Sequence, residues 1–337
     1  MKKKNLISTL QGKGFDKIPI WLMRQAGRSL PEYRNFRKNF SNFMEMCLTP
    51  EAICEITLQP IRRYDYDGAI IFSDILVIPY ALGMSVSFVE NEGPRLGPLN
   101  LDLLTFENFD ENLSNILVGI QKTKNKLPEN VTLIGFVGAP WTLSTYMIGG
   151  KTKKNFDDVI QFSLKFPQKY ETLMEILTDA CIRFLCMQIE SGVEAVQIFD
   201  SWASFVPDCF FDTWVIKPME KISNHLKRKY PHIPIICFPK GIEAHIDQLV
   251  TLTDINALSF GSSAPIKTII QAQKTHITQG NLDPNILCLG GEILEKQVIR
   301  IQNELLVSQR HIFNLGHGIL PDTPLENVDK LFALIRS

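Results

Sequence analysis

Short apolar runs of β type alternate along the chain with longer stretches whose apolar positions recur every three to four residues. Eight such runs stand out: Ile18–Met23, Gly68–Phe72, Val131–Val137, Ala195–Phe199, Ile233–Phe238, Ile255–Phe260, Thr278–Leu282 and His311–Leu315. Alternation of this kind argues for a parallel sheet with crossover helices. The clearest helix is Lys169–Glu190, where Leu173, Ile176, Leu177, Ala180, Cys181, Phe184 and Leu185 fall at helical spacing and Gly192 stands as terminator. Eight strands with helices between them close as a single α/β barrel of the (β/α)8, TIM type; an open doubly wound sheet is the alternative. No internal repeat, low-complexity segment or Pro/Ser-rich linker interrupts the pattern, so residues 1–337 read as one domain.

The polar residues that follow each run are not ordinary loop residues. In order, the run ends carry Arg24 and Arg28; Ser73-Asp74; Gly138-Ala139-Pro140-Trp141; Asp200-Ser201-Trp202; Pro239-Lys240-Gly241; Gly261-Ser262-Ser263; Asn281-Leu282-Asp283-Pro284; and Gly316-His317-Gly318. In a parallel barrel those C-terminal ends and the loops after them form the site. Polar groups converging there describe a binding mouth over a packed core.

The first of these ends is the most charged. Arg24, Arg28 and Arg34 lie within eleven residues, Arg37 follows, and only Glu32 is close enough in sequence to neutralise them. Guanidinium groups are permanently charged forks that match carboxylate or phosphate. The cluster therefore reads either as a solvated basic loop or as a site for a ligand bearing several anionic groups. Asp74 ends a buried run with no adjacent cation; it caps the segment that follows, pairs with one of the arginines, or meets a ligand. Tyr146 sits on a short helix that Pro140 opens and Gly149-Gly150 stops; such a tyrosine is a packing residue or a hydroxyl aimed at the mouth. Asp200 reads as a helix cap. His317, between two glycines at a strand end, is a structural histidine or one able to donate to a carboxylate or pass a proton.

Composition narrows the partners. A formal charge of −1 gives no reason to expect nucleic acid or an anionic membrane surface, and no apolar run approaches the length of a membrane span. The basic start Met1-Lys2-Lys3-Lys4-Asn5 is not followed by a signal-type apolar stretch, which predicts a cytoplasmic protein. The seven cysteines contain no CxxC and read as free thiols of a reducing compartment. Neither a GxGxxG nor a P-loop motif is present, and no cofactor or metal is predicted.

Several of these segments resemble one family. Trp21-Leu22-Met23-Arg24-Gln25-Ala26-Gly27-Arg28 with Pro31-Glu32-Tyr33-Arg34 is similar to the N-terminal signature of the uroporphyrinogen decarboxylases. Gly135 to Gly150 resembles their second signature and places the family's active-site tyrosine at Tyr146. Ala69 to Val77, Gln279 to Pro284 and Asn314 to Pro321 also match, so the likeness spans nearly the whole chain. Two departures stand out: Ser204 follows Asp200-Ser201-Trp202-Ala203 where the family has glycine, and Ser259-Phe260 stands where it commonly has Asp-Trp.

The resemblance implies a cytoplasmic homodimer that takes a small-molecule substrate, uroporphyrinogen III. It implies loss of the four acetate carboxyls to leave methyls, giving coproporphyrinogen III in haem biosynthesis. A protonated pyrrole serves as its own electron sink, so no cofactor is needed. Asp74 would contact the pyrrole nitrogens, Arg24, Gln25, Arg28 and Ser201 would bind substrate, and Arg37, Tyr146 and His317 complete the catalytic set. Two rivals stand beside this. Corrinoid-dependent methyltransferases resemble the family and hold zinc through a His-x-Cys pair, but here Ile235 stands two before Cys237. A protein that sequesters a tetrapyrrole without turnover would account for the arginines alone.

Overall fold

The structure, a computed structural model, describes residues 4–89, 92–153, 155–241 and 243–336. It contains the strands β1 (Gly68–Ile70), β2 (Val86–Val89), β3 (Gly93–Leu96), β4 (Thr132–Gly138), β5 (Ala195–Asp200), β6 (Ile235–Pro239), β7 (Ala257–Ser259), β8 (Ile277–Leu282) and β9 (His311–Leu315). All but β2 and β3 form a parallel sheet in the order β1-β4-β5-β6-β7-β8-β9. Seven of the eight expected strands are therefore present, each within a few residues of its expected limits. The antiparallel hairpin β2–β3 was not expected; its side chains alternate between half-buried and exposed only along β2.

The remaining expected strand, Ile18–Met23, is reduced to a single bridge, and its hydrogen bonds show why. Ile20 pairs in parallel with Phe313 of β9, Phe313 N–H donates to the Pro19 carbonyl (2.9 Å), and Asp67 N–H donates to the Ile20 carbonyl (2.9 Å). Pro19 has no N–H to give. Three of the next four amides donate to side chains instead of strands: Ile20 to Asp67 Oδ2 (3.0 Å), Leu22 to Gln25 Oε1 (2.9 Å) and Met23 to Asn314 Oδ1 (3.0 Å). The segment nonetheless lies between β9 and β1 and closes the sheet, giving the α/β barrel of TIM type. The last helix, Leu325–Arg336, locks this seam: Arg336 donates to the Ile18 carbonyl (2.6 Å) and to Asp67 Oδ2 (2.7 Å).

Side chains fill the barrel in layers, as they must if no pore is to run through it. One layer is polar. Trp21 Nε1 donates to Gln279 Oε1 (2.8 Å), and Gln279 Nε2 donates to Gln197 Oε1 (3.2 Å) and Ser259 Oγ (3.1 Å), all nearly fully buried. Two residues further along the strands, on the same face, Phe199 packs edge-on against Phe136 and Phe238, with ring centroids 5.7 and 6.2 Å apart. These rings floor the C-terminal mouth. The long helix runs over Pro167–Glu190, close to expectation, and Pro140–Gly149 has Pro140 in its first turn and a left-handed Gly150 at its end. Among the described residues, no helix is long and apolar enough to cross a membrane.

Candidate active site

Above the phenylalanine floor the strand ends bring together Arg24, Asp74, Tyr146, Lys240 and His317, each with a partly open side chain. Arg24 is the common neighbour. Its charge is felt by Asp74, Tyr146, Lys240 and His317 alike.

Arg24 owes its direction to an unusual backbone. It has φ +62°, one of two non-glycine residues with positive φ among those described, a conformation that costs an L-residue about 1–2 kcal/mol. The turn is enforced from both sides. Gln25, 2 % exposed, accepts from Leu22 N–H and donates to the Gly68 carbonyl (3.0 Å), while Ile319 N–H donates to the Met23 carbonyl (2.8 Å). The Arg24 side chain then lies flat on Gly318, where any Cβ would come within 2.3 Å of its Cδ. Gly316 is equally constrained, since a Cβ there would collide with Ser262 N. The glycines flanking His317 thus admit Arg24 and the neighbouring Ser262 loop, which is a packing requirement rather than freedom for the histidine.

Glu32 does not neutralise the arginine cluster. It is held bidentately by Arg63 (both contacts 3.0 Å), outside the cluster. Arg34 is spent on the backbone, donating to the Arg28 (2.8 Å) and Ser29 (3.2 Å) carbonyls. Arg24 and Arg28 form no salt bridge with a described residue, and both are exposed. Arg28 lines a cleft of about 570 Å³ between the 28–34 turn and Pro321–Leu325. Arg37 ends the helix Pro31–Arg37, donates to the Phe40 carbonyl (2.7 Å), and its charge reaches Tyr33 and Cys47.

Asp74 is enclosed by protein apart from one partly open edge. Burial raises its pKa, against which the Leu76 N–H (2.8 Å to Oδ1) and the Arg24 charge work. It does cap the following turn through Leu76, yet it forms no salt bridge with a described residue, so part of its charge is left for whatever enters the mouth. Burial likewise raises the Tyr146 pKa, opposed by the Thr152 hydroxyl and the Trp202 indole; the phenol therefore stays protonated at neutral pH. Trp202 Nε1 itself makes no hydrogen bond of good geometry, so it acts on Tyr146 across a longer gap.

His317 is pushed down to about 4, first by burial and then by the charges of Lys240 and Arg24. It is neutral at physiological pH and can accept a proton only once an anion offsets those cations. NMR titration should find the His317 ring protonating near pH 4 in the free protein and well above it with a polycarboxylate bound. A His317→Asn variant assigns the resonance; a titration that a ligand leaves unmoved would separate His317 from the anion site.

Other expected residues fall in different places. Gln25 is a backbone clamp, buried, with both ends of its amide engaged, and it does not open onto the mouth. Ser201 stands half-buried just past β5, facing no described hydrogen-bond partner. Ser204 is exposed, and a side chain on Gly241 would come within 2.9 Å of its Cβ, so the glycine absent at 204 is met by one across the gap. Ser259 belongs to the polar core layer, so the carboxylate missing there is missing from the barrel interior. Asp200 is not a helix cap: it is fully buried at the end of β5 and accepts from Thr142 Oγ1 (2.6 Å). Lys240 was legible only as part of a strand-end motif; its proximity to Arg24 and His317 needed the fold. No group of three or more His, Cys, Asp or Glu among the described residues could hold a metal ion. Cys237 is fully buried, and burial pushes its thiol well above the usual range.

A parallel α/β barrel with an arginine, a buried carboxylate, a tyrosine and a histidine at its C-terminal mouth is an architecture of barrel enzymes acting on anionic small molecules. The family described as uroporphyrinogen decarboxylase (URO-D) matches residues 1–337. The chain is 40% identical to the uroporphyrinogen decarboxylase of Novosphingobium aromaticivorans over 98% of both proteins. It is likewise 40% identical to that of Rhodospirillum rubrum over 99% of this chain and 97% of that protein. The chain belongs to the uroporphyrinogen decarboxylase family. Among solved structures, a methyltransferase from Methanosarcina mazei superposes with a TM-score of 0.81 over 99% of this chain and 97% of its own, at 18% identity, a likeness of fold.

Proposed function

We propose that this enzyme decarboxylates the four acetate side chains of uroporphyrinogen III to methyls, giving coproporphyrinogen III in tetrapyrrole biosynthesis. The observation that carries this reading is Asp74, a largely enclosed carboxylate with no salt bridge to a described residue, set beside Arg24 at a mouth whose arginines Glu32 does not neutralise. Loss of CO2 leaves an electron pair on carbon, which must be delocalised. A pyrrole protonated at its ring carbon accepts that pair, so the substrate supplies its own sink. The bond between the acetate CH2 and its carboxyl then breaks, the carboxyl leaves as CO2, its electron pair forms the exocyclic methylene, and reprotonation of that methylene gives the methyl.

Each group has a part in this. Asp74 accepts hydrogen bonds from the pyrrole N–H groups and stabilises the cation, in a setting of low dielectric that strengthens the attraction. Arg24 and Arg28 bind acetate and propionate carboxylates, each charge-assisted bond contributing roughly 1.5–3 kcal/mol, and Ser201 adds a neutral contact. The acid is drawn from Arg37, Tyr146 and His317, of which His317 is neutral in the free protein and needs the substrate's anions to take up a proton. We place the protein in the cytoplasm as a homodimer of single-domain barrels.

Anaerobic incubation of the metal-stripped protein with reduced uroporphyrinogen III, with products separated by carboxylate number, tests this. A ladder ending at the four-carboxylate product is expected. Substrate that binds and persists unchanged would make the protein a sequestering one, and neither turnover nor binding would favour the methyltransferase-like alternative.

A further inference from the structure

One buried ionisable group has no part in the chemistry above. Asp200, at the end of β5, is 0 % exposed, and its Oδ2 has no hydrogen-bond partner among the described residues. Its Oδ1 accepts from the Thr142 hydroxyl (2.6 Å), which in turn accepts the Trp202 N–H (3.3 Å). One residue before Thr142, Trp141 Nε1 donates to the Trp202 carbonyl (2.8 Å). Trp202 is therefore gripped at both its N–H and its carbonyl by the first turn of the helix Pro140–Gly149. That helix carries Tyr146, and the gripped turn carries Ser201. Asp200 lies behind both, between the sheet and the helices, and does not open onto the mouth.

We propose that Asp200 is a positioning residue which, through Thr142, holds the Ser201–Trp202 turn and the Tyr146 helix in one fixed arrangement at the barrel mouth. It does so as a neutral carboxylic acid. The groups that face it are Thr142, Tyr170 and Cys181 from the helices and Cys237 from β6, and none is a cation. An ionised carboxylate with one oxygen unpartnered in such a place would carry the full penalty of an unpaired buried charge. Burial pushes the carboxyl up to about 7, opposed in part by the Thr142 hydroxyl and N–H. In the unfolded chain it ionises near 3.8. Its contribution is thus fullest below about pH 4, and stability falls as pH rises from there to about 7.

The proposal rests on the function above only in giving Ser201 and Tyr146 to the substrate. Asp200→Asn keeps a neutral group with an acceptor at Oδ1, so kcat and KM should stay within about threefold of wild type. Its melting temperature should fall less than that of wild type between pH 5 and pH 7. Asp200→Ala and Thr142→Val break the latch and should each lower kcat/KM at least about tenfold, the scale of a small misplacement of reacting groups. Combined, they should cost little more than either alone. The infrared difference between wild type and Asp200→Asn at pH 6 should contain the carbonyl stretch of a protonated acid. That spectrum and the melts hold whether or not uroporphyrinogen is turned over, so they separate failure of the latch from failure of the functional reading. Absence of the protonated band, a fully active Thr142→Val, or an Asp200→Asn as impaired as Asp200→Ala would overturn the proposal.

Discussion

Replacing Asp74 with asparagine should lower kcat by about a thousandfold and leave the fold as stable as before. Asparagine has the same shape and retains an oxygen for the Leu76 N–H, which Asp74 Oδ1 now accepts at 2.8 Å. What it removes is the charge that faces the cationic pyrrole. A unit charge about 4 Å away at an effective dielectric of about 20 is worth roughly 4 kcal/mol, close to a factor of 10³ in rate. The substrate is neutral at its pyrroles and becomes charged there only in the intermediate. The loss should therefore appear in kcat, with KM changed little. Stability should move the other way, if at all. Burial holds the Asp74 pKa above its ordinary value, so at neutral pH its ionisation costs the folded state free energy that the variant does not spend. Steady-state kinetics and thermal melts at pH 7 check both halves. A kcat within tenfold of wild type would remove Asp74 from the mechanism, and a collapsed melt would make it a structural residue.

The barrel was legible in the sequence because a parallel strand, buried on both sides, leaves a short apolar run that polar crossovers punctuate. That signal located β1 and β4 through β9. It failed to describe Ile18–Met23, whose apolar character is that of a strand but whose amides go to Asp67, Gln25 and Asn314. Side chains from 3 to 291 residues away cannot be read from local pattern. The mouth was legible to the extent that its residues come soon after the apolar runs: Arg24, Asp74 and His317 do so, Tyr146 is carried by the helix after β4, and they converge. Gln25 lies next to Arg24 in sequence and points the opposite way, since the left-handed residue before it turns the chain. Glu32 was the evident counter-ion by position, yet Arg63, at the end of the helix Pro50–Arg63, takes it. The acidity of Asp200 escaped for the same reason. A helix cap and a buried latch look identical until Thr142, 58 residues earlier, is brought beside it.

Arg24→Gly should lower kcat/KM by about a hundredfold and at the same time stabilise the protein slightly, and the opposite signs are the test. A left-handed arginine costs about 1–2 kcal/mol of backbone strain, which glycine relieves. Glycine's own loss of freedom on folding, about 0.5–1 kcal/mol, offsets part of that relief. A net gain of about half to one kcal/mol remains, helped by the removal of a cation near Lys240. Against it stands the loss of a guanidinium fork whose two charge-assisted bonds to a substrate carboxylate together contribute about 3 kcal/mol. Arg24→Lys keeps the charge and the strain but not the fork, so it should recover only part of the activity and none of the stability. Removing one of the two cations that press on His317 should also raise that ring's pKa above about 4, visible in the same NMR titration. Urea melts and kinetics on the two variants decide the matter. If Arg24→Gly is less stable and just as active, the left-handed turn is a packing device. If it is more stable and crippled, the strain is retained because it aims the charge that Asp74, Tyr146, Lys240 and His317 all feel.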